Sequence, residues 1–268
     1  MNYANLYVNF LEKQANVKRQ LKAVLDCSNG PAGLVLKKLK IPNAQLIILN
    51  SKIDGRFPAH GPNPLKARAL GDVKREVKKQ KADLGIVFDA DADRAVFVDN
   101  LGRTAPVHAI AYLLSLKTKP PYVGDLYVAQ TLKHLKLLSI RESPVGTYFV
   151  KKTMKRIGAT LAAEFSGHYY FKEMKNADSG ILAAIKVMNT LSELPYKMSD
   201  FCDFLPEFHF KQWNVRAKRI AVKSRVAKDW FRIVRPSNTE PVIRLFLGSK
   251  DKNVFQKELK FLLSLSRA

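Results

Sequence analysis

Three aspartates alternate through Asp89-Ala90-Asp91-Ala92-Asp93, and Arg94 follows them directly. Carboxylates this close repel one another and raise one another's proton affinity unless a cation gathers them. Oxygen-only donors favour a hard cation, Mg2+ or Ca2+, over zinc. The Ca2+ loop of an EF-hand is the nearest rival pattern, and the residues exclude it. Arg94 stands where that loop needs glycine, Asn100 replaces its closing glutamate, and the preceding stretch reads as a strand rather than a helix. A solvated acidic turn is the plainer alternative. Against it stands the location, directly after the apolar run Asp83–Asp89 (DLGIVFD), because α/β sheets place ligands beyond the C-terminal ends of their strands.

Two further loops carry chemistry. Glu164-Phe165-Ser166-Gly167-His168 combines an acceptor, a mixed donor and acceptor, and a titratable ring, a set that suits a polyhydroxylated ligand. Alone it is a weak pattern, since a histidine beside Tyr169, Tyr170 and Phe171 is commonly a packed one. Arg235-Pro236-Ser237-Asn238-Thr239-Glu240-Pro241, with Arg244 beyond it, brings hydroxyls, an amide and guanidinium forks into one turn. That makes an anion cradle suited to phosphate, and equally it is what a plain Pro-Ser-Asn turn looks like.

The elements that must position these loops alternate in type. Leu21–Asp26 (LKAVLD) and Gln45–Asn50 (QLIILN) read as strands and Pro31–Leu39 as a helix. Between Asp54 and Pro64 three prolines forbid regular structure and make a fixed, extended connector. Leu65–Lys81 reads as a long charged helix, and Asp83–Asp89 as a strand buried on both faces. The pattern restarts with a helix at Val107–Leu116, a strand at Leu137–Arg141, a helix at Thr147–Ile157, a strand at Thr160–Ala163 and a helix at Asp178–Leu191. Strands separated by helices imply βαβ crossovers. A polar connector follows around Pro195–Pro206, and Glu207–Ala268 reads as a small α+β unit ending in the helix Asn253–Leu265.

Composition narrows the setting. At roughly 100–200 residues per domain, 268 residues make two domains or three small ones, and 47% hydrophobic with 26% charged residues is a foldable mixture. No apolar run reaches the ~20 residues a bilayer span needs, and Met1–Phe10 lacks a basic-then-apolar leader pattern. Cys27 and Cys202 are too few for a disulfide framework or a cysteine-rich zinc site, so a reducing, cytoplasmic setting without membrane contact is expected. The net charge of +23, from 46 basic and 23 acidic residues, favours anionic partners such as phosphorylated metabolites or nucleic acid. A generally basic surface explains the charge as well, because the basic residues are scattered and no motif supplies base readout.

In order and spacing the three loops resemble those of the α-D-phosphohexomutases, the phosphomannomutase and phosphoglucomutase family. That family carries a metal loop of D-G-D-x-D-R type in its second domain, a sugar loop of G-E-x-S-G-H type in its third and a phosphate loop of R-x-S-N-T-x-P type in its fourth. Asp89–Arg94, Ala163–His168 and Arg235–Pro241 are similar to these, and Phe57–Pro64 (FPAHGPNP) resembles the family's F-P-x-H-x-P-N-P connector. The fold implied is α/β: two mixed-sheet βα domains of phosphohexomutase type, 1–103 and 104–202, then a small, shortened α+β C-terminal domain, 203–268. By the same resemblance Asp89, Asp91 and Asp93 would hold Mg2+ and Arg94 would approach the transferring phosphate. Glu164, Ser166 and His168 would meet the sugar, and Arg235, Ser237, Asn238 and Thr239 the phosphate that is not reacting. The family moves a phosphoryl group between the 6- and 1-hydroxyls of a hexose through a bisphosphate, with a phosphoserine as donor, so a mannose or glucose 1- or 6-phosphate is the expected ligand.

Departures from the pattern set further expectations. No T-x-S-H-N-P phosphoserine loop occurs, and Met1 falls roughly where the family's second domain starts. The expectation is a truncated mutase, inactive alone, that needs a separate phosphoserine-domain polypeptide. A non-catalytic phosphosugar-binding remnant is the alternative, and a nucleic-acid-binding protein a more distant one. Thr147 stands where many relatives have histidine, Tyr127 where some have lysine, Ala90 where glycine is usual, and Gly248 near where an acidic residue often follows the phosphate loop. Between His209 and Trp230 the chain is short and crowded with Arg216, Lys218, Arg219, Lys223, Arg225 and Lys228.

Overall fold

The computed structural model describes residues 3–216, 222–236 and 241–265. Packing divides the chain into two units, Met1–Ala129 with Ile140–Leu205, and Gln130–Ser139 with Pro206–Ala268.

The first unit opens with α1 (Tyr3–Gln14), β1 (Leu21–Asp26), the short α2 (Ala32–Leu36), β2 (Ala44–Leu49), α3 (Gly71–Gln80), β3 (Leu84–Phe88) and β4 (Ala95–Asp99). These make a four-stranded sheet in the order β2-β1-β3-β4, parallel except for β4. The five residues of β3 are all buried, as a run without polar alternation requires. Helix α3 presses its valines onto this strand so closely that a Cβ at Gly85 would lie 2.4 Å from Val73 Cγ1. Val24, Val73, Val77, Val87, Val96 and Val98 form the resulting core.

A second sheet lies in the same unit. It is built from α4 (Val107–Ser115), β5 (Tyr122–Gly124), α5 (Leu126–His134, its last residues in the other unit), β6 (Arg141–Glu142), α6 (Thr147–Ile157), β7 (Leu161–Ala163), β8 (Tyr169–Phe171) and β9 (Ala177–Asp178). Strand order is β6-β5-β7-β8-β9, parallel over the first three and antiparallel after them. Helix α7 (Gly180–Glu193) is apolar almost all round, and it packs against α1 and α4 as well as β3 and β4 of the first sheet. Helix α8 (Met198–Phe204) ends the unit.

The second unit is a four-stranded antiparallel sheet with one helix. It comprises β10 (His209–Val215), β11 (Arg225–Val226), β12 (Trp230–Pro236), β13 (Ile243–Ser249) and α9 (Lys252–Leu265) in the strand order β10-β13-β12-β11. Leu247, Phe255 and Leu262 anchor the helix to the sheet. No helix among the described residues is long and apolar enough to cross a membrane.

The fold is the expected mixture of α/β layers with mixed sheets, and several elements differ in detail. The single helix expected over Leu65–Lys81 is a 3-10 turn, Ala67–Leu70, and then α3, which closes at Lys81 in the left-handed conformation. The polar connector around Pro195–Pro206 contains α8, whose start is tied by Asp200 Oδ2 accepting from Lys197 N at 3.0 Å. Of the strand expected at Leu137–Arg141 only Arg141 is extended into β6, because α5 occupies the chain up to His134 and Lys136 turns with a φ of 57°.

Candidate functional site

The aspartate loop is the hairpin turn between β3 and β4, where Phe88 pairs with Ala95. Asp89 is buried at 2% exposure, Asp93 is half-buried and Asp91 faces solvent. One oxygen from each carboxylate lies within 4.8 Å of the others. Arg94 closes the turn on itself, its backbone N donating to Asp89 Oδ1 at 3.1 Å and its Nε to Asp89 Oδ2 at 2.7 Å. Burial pushes the Asp89 carboxyl up to about 6, with the Asp93 charge adding to that and the Arg94 bonds opposing it. Asp93 is held below the usual carboxylate range, chiefly by His168. The remaining Asp93 oxygen, Oδ1, is buried and accepts no hydrogen bond.

The Glu164–His168 loop is a hairpin turn too, joining β7 to β8, with Ala163 opposite Tyr169. It meets the aspartate loop backbone to backbone. Ala95 N donates to Gly167 O at 3.0 Å, and Arg94 and His168 form an antiparallel bridge. Gly167 has a φ of +90°, and a Cβ there would reach Ala95 O at 3.0 Å, so both conformation and clearance call for glycine. On another side of the aspartate loop, Gly180 N at the start of α7 donates to Ala92 O at 2.9 Å.

Side chains continue the junction. Ser166 Oγ lies 2.8 Å from His168 Nδ1, while His168 Nε2 lies 3.3 Å from Asp93 Oδ2 and 3.9 Å from Asp178 Oδ2. Burial works against charging the His168 ring, but Asp93, Glu164 and Asp178 outweigh it and raise its proton affinity above the ordinary histidine value. Glu164 is buried and engaged at both oxygens: Gly146 N donates to Oε1 at 2.8 Å and the Tyr170 hydroxyl to Oε2 at 2.5 Å. Thr147 Oγ1 lies 3.2 Å from that hydroxyl. Asp125 ties down the loop's near end, its Oδ2 accepting from Phe165 N at 2.8 Å. Tyr127 is buried with its hydroxyl 2.8 Å from His108 Nδ1 and its ring edge-on to Phe165.

The structure thus brings Asp89, Asp91, Asp93, Arg94, Glu164, Ser166 and His168 into one region of the first unit. It adds Asp178, which sequence reading placed in a helix. No pattern could have found it: Asp178 arrives because β9 pairs with β8, opposite Tyr170. Asp93, His168 and Asp178 offer ligand atoms within 4.8 Å of one another, so Asp93 belongs to two such groups. In the second unit Arg235 lies on β12 opposite Arg244 on β13, its guanidinium 5.0 Å from the Phe246 ring centre. Ser237, Asn238 and Thr239 lie outside the described residues.

An oxygen-only donor set fits a hard divalent cation such as Mg2+. The buried, unsatisfied Asp93 Oδ1 and the raised Asp89 carboxyl are the groups a cation would relieve.

Known proteins match the chain along most of its length. Residues 3–102 match the family model described as phosphoglucomutase/phosphomannomutase, alpha/beta/alpha domain II; residues 126–208 match domain III of that family and 182–262 its C-terminal domain. A phosphomannomutase/phosphoglucomutase of Pseudomonas syringae pv. tomato is 30% identical, the alignment covering 97% of this chain and 65% of that protein. A phosphomannomutase of Methanocaldococcus jannaschii is 29% identical over 99% of this chain and 67% of its own length. Among solved structures, a phosphoglucomutase/phosphomannomutase family protein from Burkholderia thailandensis superposes with a TM-score of 0.82 at 25% identity, covering 98% of this chain and 64% of that one. The chain therefore spans about two thirds of the length of these three relatives.

Proposed function

The chain belongs to the phosphoglucomutase/phosphomannomutase family, and we propose that it forms the cation-, sugar- and phosphate-binding part of a Mg2+-dependent hexose-phosphate mutase. The supporting observation is the backbone junction of the two hairpin loops, Ala95 N to Gly167 O with the Arg94–His168 bridge. It puts the aspartate turn and the Glu164–His168 turn side by side. Asp89, Asp91 and Asp93 would hold Mg2+, which supplies positive charge to the oxygens of a phosphoryl group in transfer.

The chain's own residues do the rest. Arg94, pinned to Asp89 through Nε, keeps the outer nitrogens of its guanidinium for a phosphate. Ser166 would offer its hydroxyl toward the sugar, His168 would sit beside it, oriented by Ser166 and Asp93, and Glu164, held by Gly146 and Tyr170, fixes the loop's floor. Arg235 with Ser237, Asn238 and Thr239 would bind the phosphate that is not reacting. The division 1–103, 104–202 and 203–268 is proposed for the three parts.

These 268 residues contain no T-x-S-H-N-P loop, and a phosphoryl group needs a covalent resting place while the sugar reorients. In this reading a second polypeptide provides the phosphoserine. The test is turnover of mannose or glucose 1-phosphate with a bisphosphate activator, with and without an added phosphoserine domain. Negligible turnover by the 268-residue chain and recovery on addition are expected; robust turnover by the chain alone would overturn the split-enzyme reading.

One observation favours the second reading, a phosphosugar-binding protein without turnover. Tyr127 and Thr147, where the resemblance leads one to look for lysine and histidine, are bound into the protein through His108 and Tyr170. Calorimetric binding of hexose phosphate, with no turnover even when the phosphoserine domain is present, would decide for it.

A further inference from the structure

The connector Asp54–Pro64, unexplained by either loop, carries midway a histidine buried against an aspartate. His60 Nε2 lies 3.3 Å from Asp26 Oδ1, with the two side chains 2% and 0% exposed. The other ring nitrogen, Nδ1, lies 3.0 Å from the Gly61 carbonyl. The Nε2 approach to Asp26 is close but not aligned as a hydrogen bond, so the ring is held against Asp26 by packing and proximity, and through Nδ1 against the Gly61 carbonyl. Asp26 is itself fully engaged, accepting from Ser28 N at 2.8 Å on Oδ1 and from Asn50 Nδ2 at 2.7 Å on Oδ2.

From this pair a chain of contacts runs to the aspartate loop. Ser28 and Asn29 take left-handed backbone angles, φ 50° and 58°, which non-glycine residues keep only where surrounding bonds impose them. The bonds are present: Asp26 holds Ser28 N, Asn29 Nδ2 donates to Lys52 O, and Ala59 N of the connector donates to Asn29 Oδ1 at 3.2 Å. So shaped, the turn touches the aspartate loop twice. Ser28 Oγ donates to the carbonyl of Phe88 at 2.5 Å, one residue before Asp89. Gly30 lies so close that a Cβ on it would be 2.1 Å from the carbonyl oxygen of Ala90.

We infer that Asp26 and His60 are a positioning pair for the aspartate loop, so that divalent-cation affinity at Asp89, Asp91 and Asp93 depends on two residues placed to act through the Ser28–Gly30 turn. The inference rests on the reading of that loop as the cation site. Outer partners of this kind hold ligands at the spacing a small cation demands, and losing them lowers affinity without removing a ligand.

The experiment is titration of the 268-residue chain with Mn2+, followed by the ion's electron paramagnetic resonance signal and by calorimetry. His60→Leu removes the ring's polar contacts; His60→Gln keeps an N–H for Asp26; Ser28→Ala removes only the bond to Phe88 O. His60→Leu and Ser28→Ala are expected to weaken Mn2+ binding about tenfold, with His60→Gln close to wild type. Thermal unfolding in EDTA checks that each variant is folded, and Ser28→Ala carries the test if His60→Leu is not. A wild-type chain that binds no Mn2+ would overturn the cation-site reading and this inference with it. Tight wild-type binding that both His60→Leu and Ser28→Ala leave unchanged overturns the positioning pair alone.

Discussion

Gly180→Ala is the substitution whose effect can be worked most fully from the structure. A Cβ at Gly180 would lie 2.5 Å from the Arg94 carbonyl oxygen, 2.7 Å from its carbon and 3.0 Å from Ala92 O. Ordinary contact begins near 3.4 Å, so one partner must retreat by about 0.9 Å. Helix α7 cannot: it is buried along nearly its whole length. The aspartate loop therefore moves, and with it Asp93, Arg94 and the Ala92 carbonyl that Gly180 N holds. Overpacking of this kind costs about 1–3 kcal/mol, offset by up to about 1 kcal/mol from alanine's better helix propensity. A net loss of about 1–2 kcal/mol corresponds to a fall in Tm of about 2–8 °C for a unit of this size. Mg2+ affinity, measured by calorimetry, is expected to fall about tenfold or more, as when a ligand's supporting partners are lost. Gly71→Ala is the control, since Gly71 starts α3 with nothing within 4 Å of its Cβ position; it leaves Mg2+ binding unchanged. A Gly180→Ala chain with the Tm and Mg2+ affinity of wild type would refute the proposed coupling between α7 and the cation site.

Three further expectations concern neighbouring groups. Burial lifts the Asp89 carboxyl to about 6, so Mg2+ must displace a proton at lower pH; affinity is level above that value and falls toward the limit of about tenfold per pH unit below it, which calorimetry across pH 5–8 reads. Tyr170→Phe strips the buried Glu164 Oε2 of its phenol donor; a stability loss of about 1–3 kcal/mol in chemical denaturation and weaker hexose-phosphate binding are predicted. Burial pushes His108 down to about 4, against about 6.5 in the unfolded chain. The unfolded state then binds the extra proton first, and His108 subtracts stability as pH falls from about 6.5 toward 4. His60 and His168, both raised, contribute in the opposite sense, so the comparison is wild type against His108→Asn, whose acid limb is expected to be shallower.

Much of this site could be read along the chain, for physical reasons that also mark where reading stopped. The strand Leu21–Asp26 has the limits its apolar run suggests, and DLGIVFD overshoots β3 by one residue at each end. Buried parallel strands announce themselves by continuous hydrophobicity. Helix α6 begins at Thr147 and ends at Ile157 as its spacing predicts, with Gly158 as its left-handed stop. Helices α1 and α5 carry no comparable signal. Around Leu126–His134 the cap is Asp125, whose Oδ1 accepts from Val128 N, but a lone aspartate after a three-residue strand is a faint start signal. The turns Asp89–Arg94 and Glu164–His168 stand out along the chain because their polar groups are concentrated in consecutive residues. What brings Asp178 to His168, or His60 to Asp26, is strand pairing and a proline-bent connector joining distant positions, and no local periodicity records that.

In the proposed function a divalent cation and a phosphosugar share one neighbourhood between the Asp89–Asp93 and Glu164–His168 turns. Phosphorus-31 relaxation of hexose 1,6-bisphosphate, in the presence of the chain loaded with Mn2+, measures that proximity. Strong paramagnetic broadening of a phosphorus resonance, lost in the Asp93→Ala variant and on replacing Mn2+ by Mg2+, is the predicted result. A bound ligand with Mn2+ also bound, yet with unbroadened phosphorus signals, would contradict it.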